Sequence, residues 1–400
     1  MRDAPRGLAL PRGFRDILPT EARELHAIQR LLMSTFASYG YVPLEPPTVE
    51  LAPPAIDERR LLRFVDRDGR LLALRPDVTT AVARVVAQRY RDVEGALRLS
   101  YFTPIFREEA SMRGSEREYD QAGIELIGMP GALGDVEAIA VLADALQRCG
   151  LPAAEVDIGH VGFLRGFLGD LPETARVSAE EAARHGDLVS VLGAARNGGL
   201  SAQRCEALDR GLRYRGPGEF TDVRRDAPSQ AQAALKELEA LQPLLDAAGV
   251  GAAVRFDLGF MPALSYYTGI VFQVTAPGLG FAVAAGGRYD GFLARFGADL
   301  PATGFGIAVP HLHQAVVADG WNVADDPPLV VLLPAEDDVA TIQVATALRR
   351  AGLAVAVGDV AETAGRPTLR ARAVDETHVE YESVVRALDA FVAVLTGTPP

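Results

Sequence analysis

Gln121, Gly123 and Glu125 alternate along the run Glu118–Gly128 (EYDQAGIELIG). On a strand they share one face with Tyr119, while Ala122, Ile124 and Leu126 share the other. An amide and a carboxylate four residues apart, with a glycine between them, are unlike the Lys/Glu mixture of a solvated strand face. Gly123 leaves out a side chain where something can approach the sheet closely. Arg107 ends the preceding apolar run Leu99–Phe106 and can reach the same space. An acid, an amide and an arginine around a glycine floor suit a small zwitterion such as an amino acid, the acid taking the ammonium and the arginine the carboxylate. The same residues also fit an exposed sheet face with incidental charges, and alternation alone leaves both readings open.

The elements that must hold these residues can be read outward from them. Leu99–Phe106 and Glu118–Gly128 flank the polar segment Glu108–Arg117, which contains Gly114, and this predicts a long-looped antiparallel hairpin. Upstream, Thr20 is placed to cap a helix carrying Leu25, Ile28, Leu32, Thr35 and Phe36 at helical spacing, stopped at Gly40. Tyr41–Leu44 reads as a short strand before Pro46-Pro47, and 51–60 as an irregular connection. Leu61–Val65 and Arg70–Leu74 read as a hairpin around Asp68-Gly69. Asp77 precedes the helical pattern Val78–Tyr90 and is equally suited to cap that helix or to bind a ligand.

Downstream, Asp135 is expected to cap a helix that ends at Gly150. Residues 151–250 have helical patches at 178–196, 201–213 and 229–248 and few strand signals, so they read as an inserted helical subdomain. Strand patterns return at Val254–Leu258, Ile270–Thr275 and Phe281–Ala285. A glycine-rich turn over Gly286–Gly291 is then expected to lead into a helix, with a further apolar strand at Gly304–Val309. The segment NVADDPP (322–328) divides a core of residues 1–320 from a small C-terminal α/β domain of 329–400, opened by strand Leu329–Leu333, helix Asp337–Ala351 and strand Leu353–Val357. Residues 360–400 carry no sign of a role.

Composition narrows the function classes. Four hundred residues give ample core, and the formal net charge of −13 is poorly suited to gripping a nucleic-acid backbone. Lys236 is the only lysine, which excludes a phosphate-binding P-loop and disfavours Schiff-base chemistry. Cys149 and Cys205 lie far apart, and His311 and His313 have no nearby Cys or acid, so no metal or other cofactor is expected. The opening MRDAPRGLALPRGFRD lacks the apolar stretch of a secretion signal and no apolar run spans a membrane, so a cytoplasmic protein is expected.

Taken in order, PRGFRDILP (11–19), LRPDVTT (74–80), FREE and EYDQAGIELIG around the central hairpin, LSYYTGIVF (264–272) and AGGRYDGF (285–292) resemble the catalytic core of class II histidyl-tRNA synthetases. That resemblance implies an α+β fold, a class II antiparallel sheet flanked by helices, with an insertion at about 151–250. It implies a self-dimer with the 20–50 region at its interface. It also implies a histidine pocket at the positions of Asp77, Thr79, Arg107, Gln121, Glu125, Tyr266 and Tyr267, where an acid and a tyrosine hydroxyl suit the donor and acceptor of neutral imidazole. Asp77 stands where synthetases have Glu.

The departures from that family are concentrated at its ATP-binding cations. His311, Pro262, Ala110 and Ser115 stand where the synthetases carry arginines, and adenylate formation needs such cations. The combination looks like the regulatory-subunit family of ATP phosphoribosyltransferase, a synthetase paralogue of histidine biosynthesis. The resemblance then implies no catalytic residues, feedback inhibition by L-histidine, activation of a short-form catalytic subunit in a hetero-octamer, and no nucleic-acid or membrane partner. Two other readings stay open: an active synthetase, and a synthetase-like amino-acid sensor serving another partner.

Overall fold

The structure, a computed structural model, describes residues 9–52, 61–108, 116–262, 264, 266–323, 328–334, 338–358 and 367–396. The chain forms two compact units, Met1–Arg15 with Leu25–Trp321, and Asp16–Glu24 with Asn322–Pro400. No helix among the described residues is long and apolar enough to cross a membrane.

The first unit opens with α1 (Pro19–Ser38, belonging here from Leu25), β1 (Val42–Pro43), β2 (Val49–Leu51), β3 (Arg63–Val65), β4 (Leu71–Leu74) and α2 (Val78–Arg89). The central hairpin is β5 (Leu97–Phe106) and β6 (Glu118–Ile127), followed by α3 (Ala132–Arg148), β7 (Glu155–His160) and α4 (Val161–Leu168). Then come α5 (Glu173–Arg184), α6 (Leu188–Asn197), α7 (Ala202–Leu212), β8 (Arg215–Gly216), α8 (Thr221–Arg224) and α9 (Ser229–Ala247). The unit ends with β9 (Val254–Asp257), β10 (Ile270–Thr275), β11 (Ala282–Arg288), β12 (Ala302–Ala308) and α10 (Val309–Ala318).

Nine strands form one sheet in the order β1-β5-β6-β12-β11-β10-β7-β9-β8. Pairing is antiparallel except between β1 and β5 and between β7 and β9, which are parallel. A separate three-stranded sheet runs β2-β4-β3, with Gly69 at φ 77° in the expected Asp68-Gly69 turn. Helix α1 buries Leu25, Ile28, Leu32 and Phe36, and Phe36 meets Phe305 of β12 edge-on at 5.9 Å. Each such fully buried side chain contributes about 1.5–3 kcal/mol.

Several local expectations are corrected. Helix α1 starts at Pro19, so Thr20 lies in its first turn and not at its cap. Helix α3 has Gly131 as its N-cap; Asp135 lies inside the helix, 2% exposed, bound by the Arg288 guanidinium at 2.9–3.1 Å. That buried ion pair ties α3 to the end of β11, a contact 153 residues apart in sequence. Gly286 and Gly287 belong to β11 and not to a turn, because a Cβ on Gly286 would strike Phe272 at 2.7 Å and one on Gly287 would meet the Ile270 carbonyl at 2.5 Å. The 178–196 patch is two helices, α5 and α6, broken near Gly186 at φ 68°. Strand β7 falls inside the stretch read as helical, yet it is an interior strand of the main sheet.

The second unit contains β13 (Leu329–Leu333), α11 (Asp338–Arg350), β14 (Val355–Val357), β15 (Thr368–Asp375), β16 (His378–Tyr381), β17 (Val384–Ala387) and α12 (Leu388–Thr396). Its sheet order is β14-β13-β15-β16-β17, with β13 parallel to β14 and β15. Val330, Leu332, Val344, Leu348, Val379 and Phe391 form its own core.

Candidate functional site

The face of β6 that carries Gln121 and Glu125 is the floor of a cleft of about 540 Å³. All the residues singled out above, Asp77, Thr79, Arg107, Gln121, Glu125, Tyr266 and Tyr267, line it. Four elements supply them: the N-terminus of α2, the end of the β5–β6 hairpin, the body of β6, and the segment before β10. The volume is in the range of small-molecule sites. The reading of this face as an exposed sheet surface is set aside, since Glu125 is 1% exposed.

Register explains how Glu125 and Gln121 lie across the floor. Glu125 pairs with Gly304 and Gln121 with Ala308 on β12. A Cβ on Gly304 would collide with the Glu125 carboxylate, and one on Gly306 would meet the Gln121 amide at 2.6 Å. The glycines of β12 therefore make room for the polar side chains of β6. The space over Gly123 is used differently from the expectation. Tyr101 of β5, paired opposite Gly123, lays its ring there and donates its hydroxyl to the Phe305 carbonyl at 3.4 Å. Gly123 accommodates a neighbouring tyrosine, not a ligand.

Glu125 is the buried carboxyl at the centre of the site. Its Oε1 accepts from Thr79 Oγ1 at 2.6 Å, and its Oε2 accepts from the Tyr289 hydroxyl. Burial pushes its carboxyl up to about 8, overriding these two hydrogen bonds, which favour the ionised form; the charge of Asp77 pushes the same way as burial. Burial also holds the hydroxyls of Tyr101, Tyr266 and Tyr289 well above the ordinary tyrosine range, so they are neutral donors. Tyr266 packs against Tyr267 at 4.8 Å, Tyr289 at 5.6 Å and Phe292 at 4.8 Å, forming an aromatic wall beside the carboxylate. Arg107 is half-buried and lines the cleft, its Nε donating to the Pro76 carbonyl at 2.8 Å.

Tyr289 and Tyr101 were not among the site residues expected from sequence. Tyr289 follows a strand that reads as a turn, and Tyr101 becomes visible only once the β5–β6 register pairs it with Gly123. Of the positions that depart from the synthetase pattern, Pro262 and His311 line the cleft, whereas Ala110 and Ser115 lie outside the described residues. The His311 ring lies 4.1 Å from the Phe281 ring and its Nδ1–H donates to the Ala282 carbonyl at 2.9 Å. Two further arginines line the cleft, both already paired: Arg215 with Asp257 at 2.9 Å, and Arg184 with Glu181 at 2.7 Å. Among the described residues no cluster of His, Cys, Asp and Glu gathers as a metal site.

Both proposed uses of Asp77 are compatible with its geometry. It is the N-cap of α2, accepting from Thr80 N and Thr80 Oγ1 at 2.9 Å each, and it also faces the cleft. Substitution separates the two. Asp77→Asn keeps a side-chain cap and should melt close to the wild type, while Asp77→Ala should lose about 1 kcal/mol. Urea unfolding checks this; equal midpoints for Asp77→Ala and the wild type would remove the capping role.

The histidyl-tRNA synthetase family model matches residues 13–312. A Moorella thermoacetica protein named ATP phosphoribosyltransferase regulatory subunit is 38% identical over 376 residues, spanning 92% of this chain and 95% of its own. A Symbiobacterium thermophilum protein of the same name is 37% identical, spanning 91% of this chain and 94% of its own. Among solved structures, an ATP phosphoribosyltransferase regulatory subunit/histidyl-tRNA synthetase from Bacillus halodurans C superposes with a TM-score of 0.80 at 29% identity, over 92% of this chain and 99% of that one. A Nostoc histidyl-tRNA synthetase, 19% identical with a TM-score of 0.77, shares the fold over 98% of this chain and 99% of its own.

Proposed function

The chain belongs to the histidyl-tRNA synthetase-like family of ATP phosphoribosyltransferase regulatory subunits, and on that premise we propose that its cleft binds L-histidine without activating it. Glu125, which lines the cleft and is held by Thr79 and Tyr289, shares a proton with one imidazole nitrogen. A hydroxyl oxygen of the Tyr266–Tyr267 pair accepts from the second ring N–H, so that Glu125 and the ring together hold one titratable proton, and the aromatic wall receives the ring face. Arg107 takes the α-carboxylate, and Asp77 with Gln121 takes the ammonium. Strand alternation alone suits an acid to the ammonium, but the family resemblance puts Glu125 at the imidazole, and its near-complete burial supports that assignment.

The observation that carries the non-catalytic half is the state of the cleft's cations. Stabilising a triphosphate in an adenylation transition state needs preorganised positive charge. Arg184 and Arg215 are neutralised by their own carboxylates. With its Nδ1 proton committed to Ala282, a neutral His311 offers only a lone pair at Nε2. A histidine cannot replace an always-charged guanidinium fork.

On this reading the chain is a cytoplasmic regulatory subunit of the first step of histidine biosynthesis. It forms a dimer of its own and joins the short-form catalytic subunit in a hetero-octamer. It binds neither nucleic acid nor membrane. Calorimetry should register one L-histidine site per chain, while exchange of labelled pyrophosphate into ATP stays at background with histidine present. Robust exchange would end this reading in favour of a synthetase.

A further inference from the structure

Arg107 sits where the β5–β6 ladder has run out, since the last paired residues are Phe106 and Glu118. A strand end of this kind frays unless something pins it. Here the pin comes from residues 11–15, a turn closed by Phe14 N donating to the Pro11 carbonyl at 3.1 Å. Arg107 N–H donates to the Arg117 carbonyl at 2.9 Å, and Arg117 N–H in turn donates to the Gly13 carbonyl at 2.8 Å. The Arg117 side chain completes the junction. Its guanidinium lies over the Phe14 ring at 5.5 Å, donates to the Arg12 carbonyl at 3.3 Å and pairs with Glu108. Arg15 pairs with Glu116 at 2.6 Å. Gly13 has φ +80°, and a Cβ there would strike Arg117 Cγ at 2.6 Å, so only glycine lets the two segments close.

We infer that residues 11–15 and Arg117 form a strap whose job is to set the position of Arg107, and through it the cleft's selectivity for ligands that carry an α-carboxylate. The selectivity half rests on the reading that the cleft takes an amino acid. The strap touches no cleft residue other than Arg107 through the bonds given above. Loosening it therefore moves the carboxylate partner and leaves the Glu125–Tyr289 end of the site in place. Arg117 and Gly13 are positioning residues, acting on the ligand only through Arg107.

Three variants of the full chain, Gly13→Ala, Arg117→Ala and the milder Phe14→Leu, test this by two measurements. Amide hydrogen exchange without ligand should rise at Arg107 in each variant that keeps the wild-type melting curve. Unchanged exchange at Arg107 would overturn the strap. Calorimetry with L-histidine and with histamine, which lacks the carboxylate, reads selectivity. Histidine affinity should fall about tenfold while histamine affinity holds, in keeping with one misplaced charge-assisted contact. Equal losses for both ligands would mean a structural role only and would overturn the selectivity half. Should the wild type bind neither ligand, the amino-acid reading and the selectivity half both fail, and exchange still decides the strap.

Discussion

Mixed with a short-form catalytic subunit of ATP phosphoribosyltransferase, this chain should switch on phosphoribosyl transfer to ATP, and L-histidine should then suppress it. On the reading proposed above, with Arg184 and Arg215 spent on internal carboxylates, the cleft does no chemistry of its own. It can act only by favouring one state of an assembly over another, and a ligand shifts such an equilibrium by no more than its differential affinity for the two states. Linkage then makes the effect reciprocal: if histidine disfavours the active assembly, forming that assembly weakens histidine by the same factor. Couplings of this kind are typically about 1–3 kcal/mol, or roughly 5- to 150-fold. Initial rates of the transferase with and without this chain, each at rising histidine, measure both effects. No rise in rate would remove the partner assignment. A rise that histidine cannot reverse would keep activation and remove feedback.

What the sequence could and could not convey follows a physical divide. Features written within a few residues were legible. The alternation of Gln121, Gly123 and Glu125, the Asp68-Gly69 turn and the Asp77 cap all depend on near neighbours, and each is present. Features fixed by a distant partner were not. Asp135 has the look of a cap, but its fate is decided by Arg288, 153 residues on. Gly286-Gly287 has the composition of a turn, but what requires those glycines is the approach of Phe272 and the Ile270 carbonyl from β10. Strand β7 hides among helical sequence because its partners, β10 and β9, are the only thing that makes it a strand. The site divides the same way. Glu125 and Arg107 were visible from their own strands, whereas Tyr289 enters by way of the turn that was really a strand end.

Histidine affinity should be bell-shaped in pH, with its plateau between about 6.5 and about 8. The upper limit comes from Glu125, whose carboxyl burial raises to about 8, and the lower from free imidazole, near 6.5. Between the two limits the empty cleft carries one proton on Glu125 and the free ring carries none. The complex also holds one proton, shared between carboxylate and ring, so binding there neither takes up nor releases a proton. Above about 8 both partners are deprotonated and binding must take up a proton, so affinity falls about tenfold per pH unit. Below about 6.5 both are protonated and binding must release one, so affinity falls again. The same shift acts on stability without ligand. A carboxyl raised in the folded state stabilises fully below about 4.5, and that contribution is lost as pH rises through about 8, at most on the order of 4–5 kcal/mol. Glu125→Gln should therefore flatten the fall in melting temperature between pH 5 and 8 and remove the upper limb of the affinity profile. Glu125→Ala, which strips Thr79 and Tyr289 of their shared acceptor, should weaken histidine by about tenfold to a hundredfold while leaving activation of the partner intact. Calorimetry near pH 7.2 in two buffers of different ionisation enthalpy gives the direct reading. Equal heats mean no proton exchanged with solvent; heats that report uptake would show Glu125 ionised in the empty cleft, and heats that report release would show a complex of ionised carboxylate and neutral ring, either of which overturns the plateau. A Glu125→Ala complex that stayed fully inhibitable by histidine would place feedback at another site.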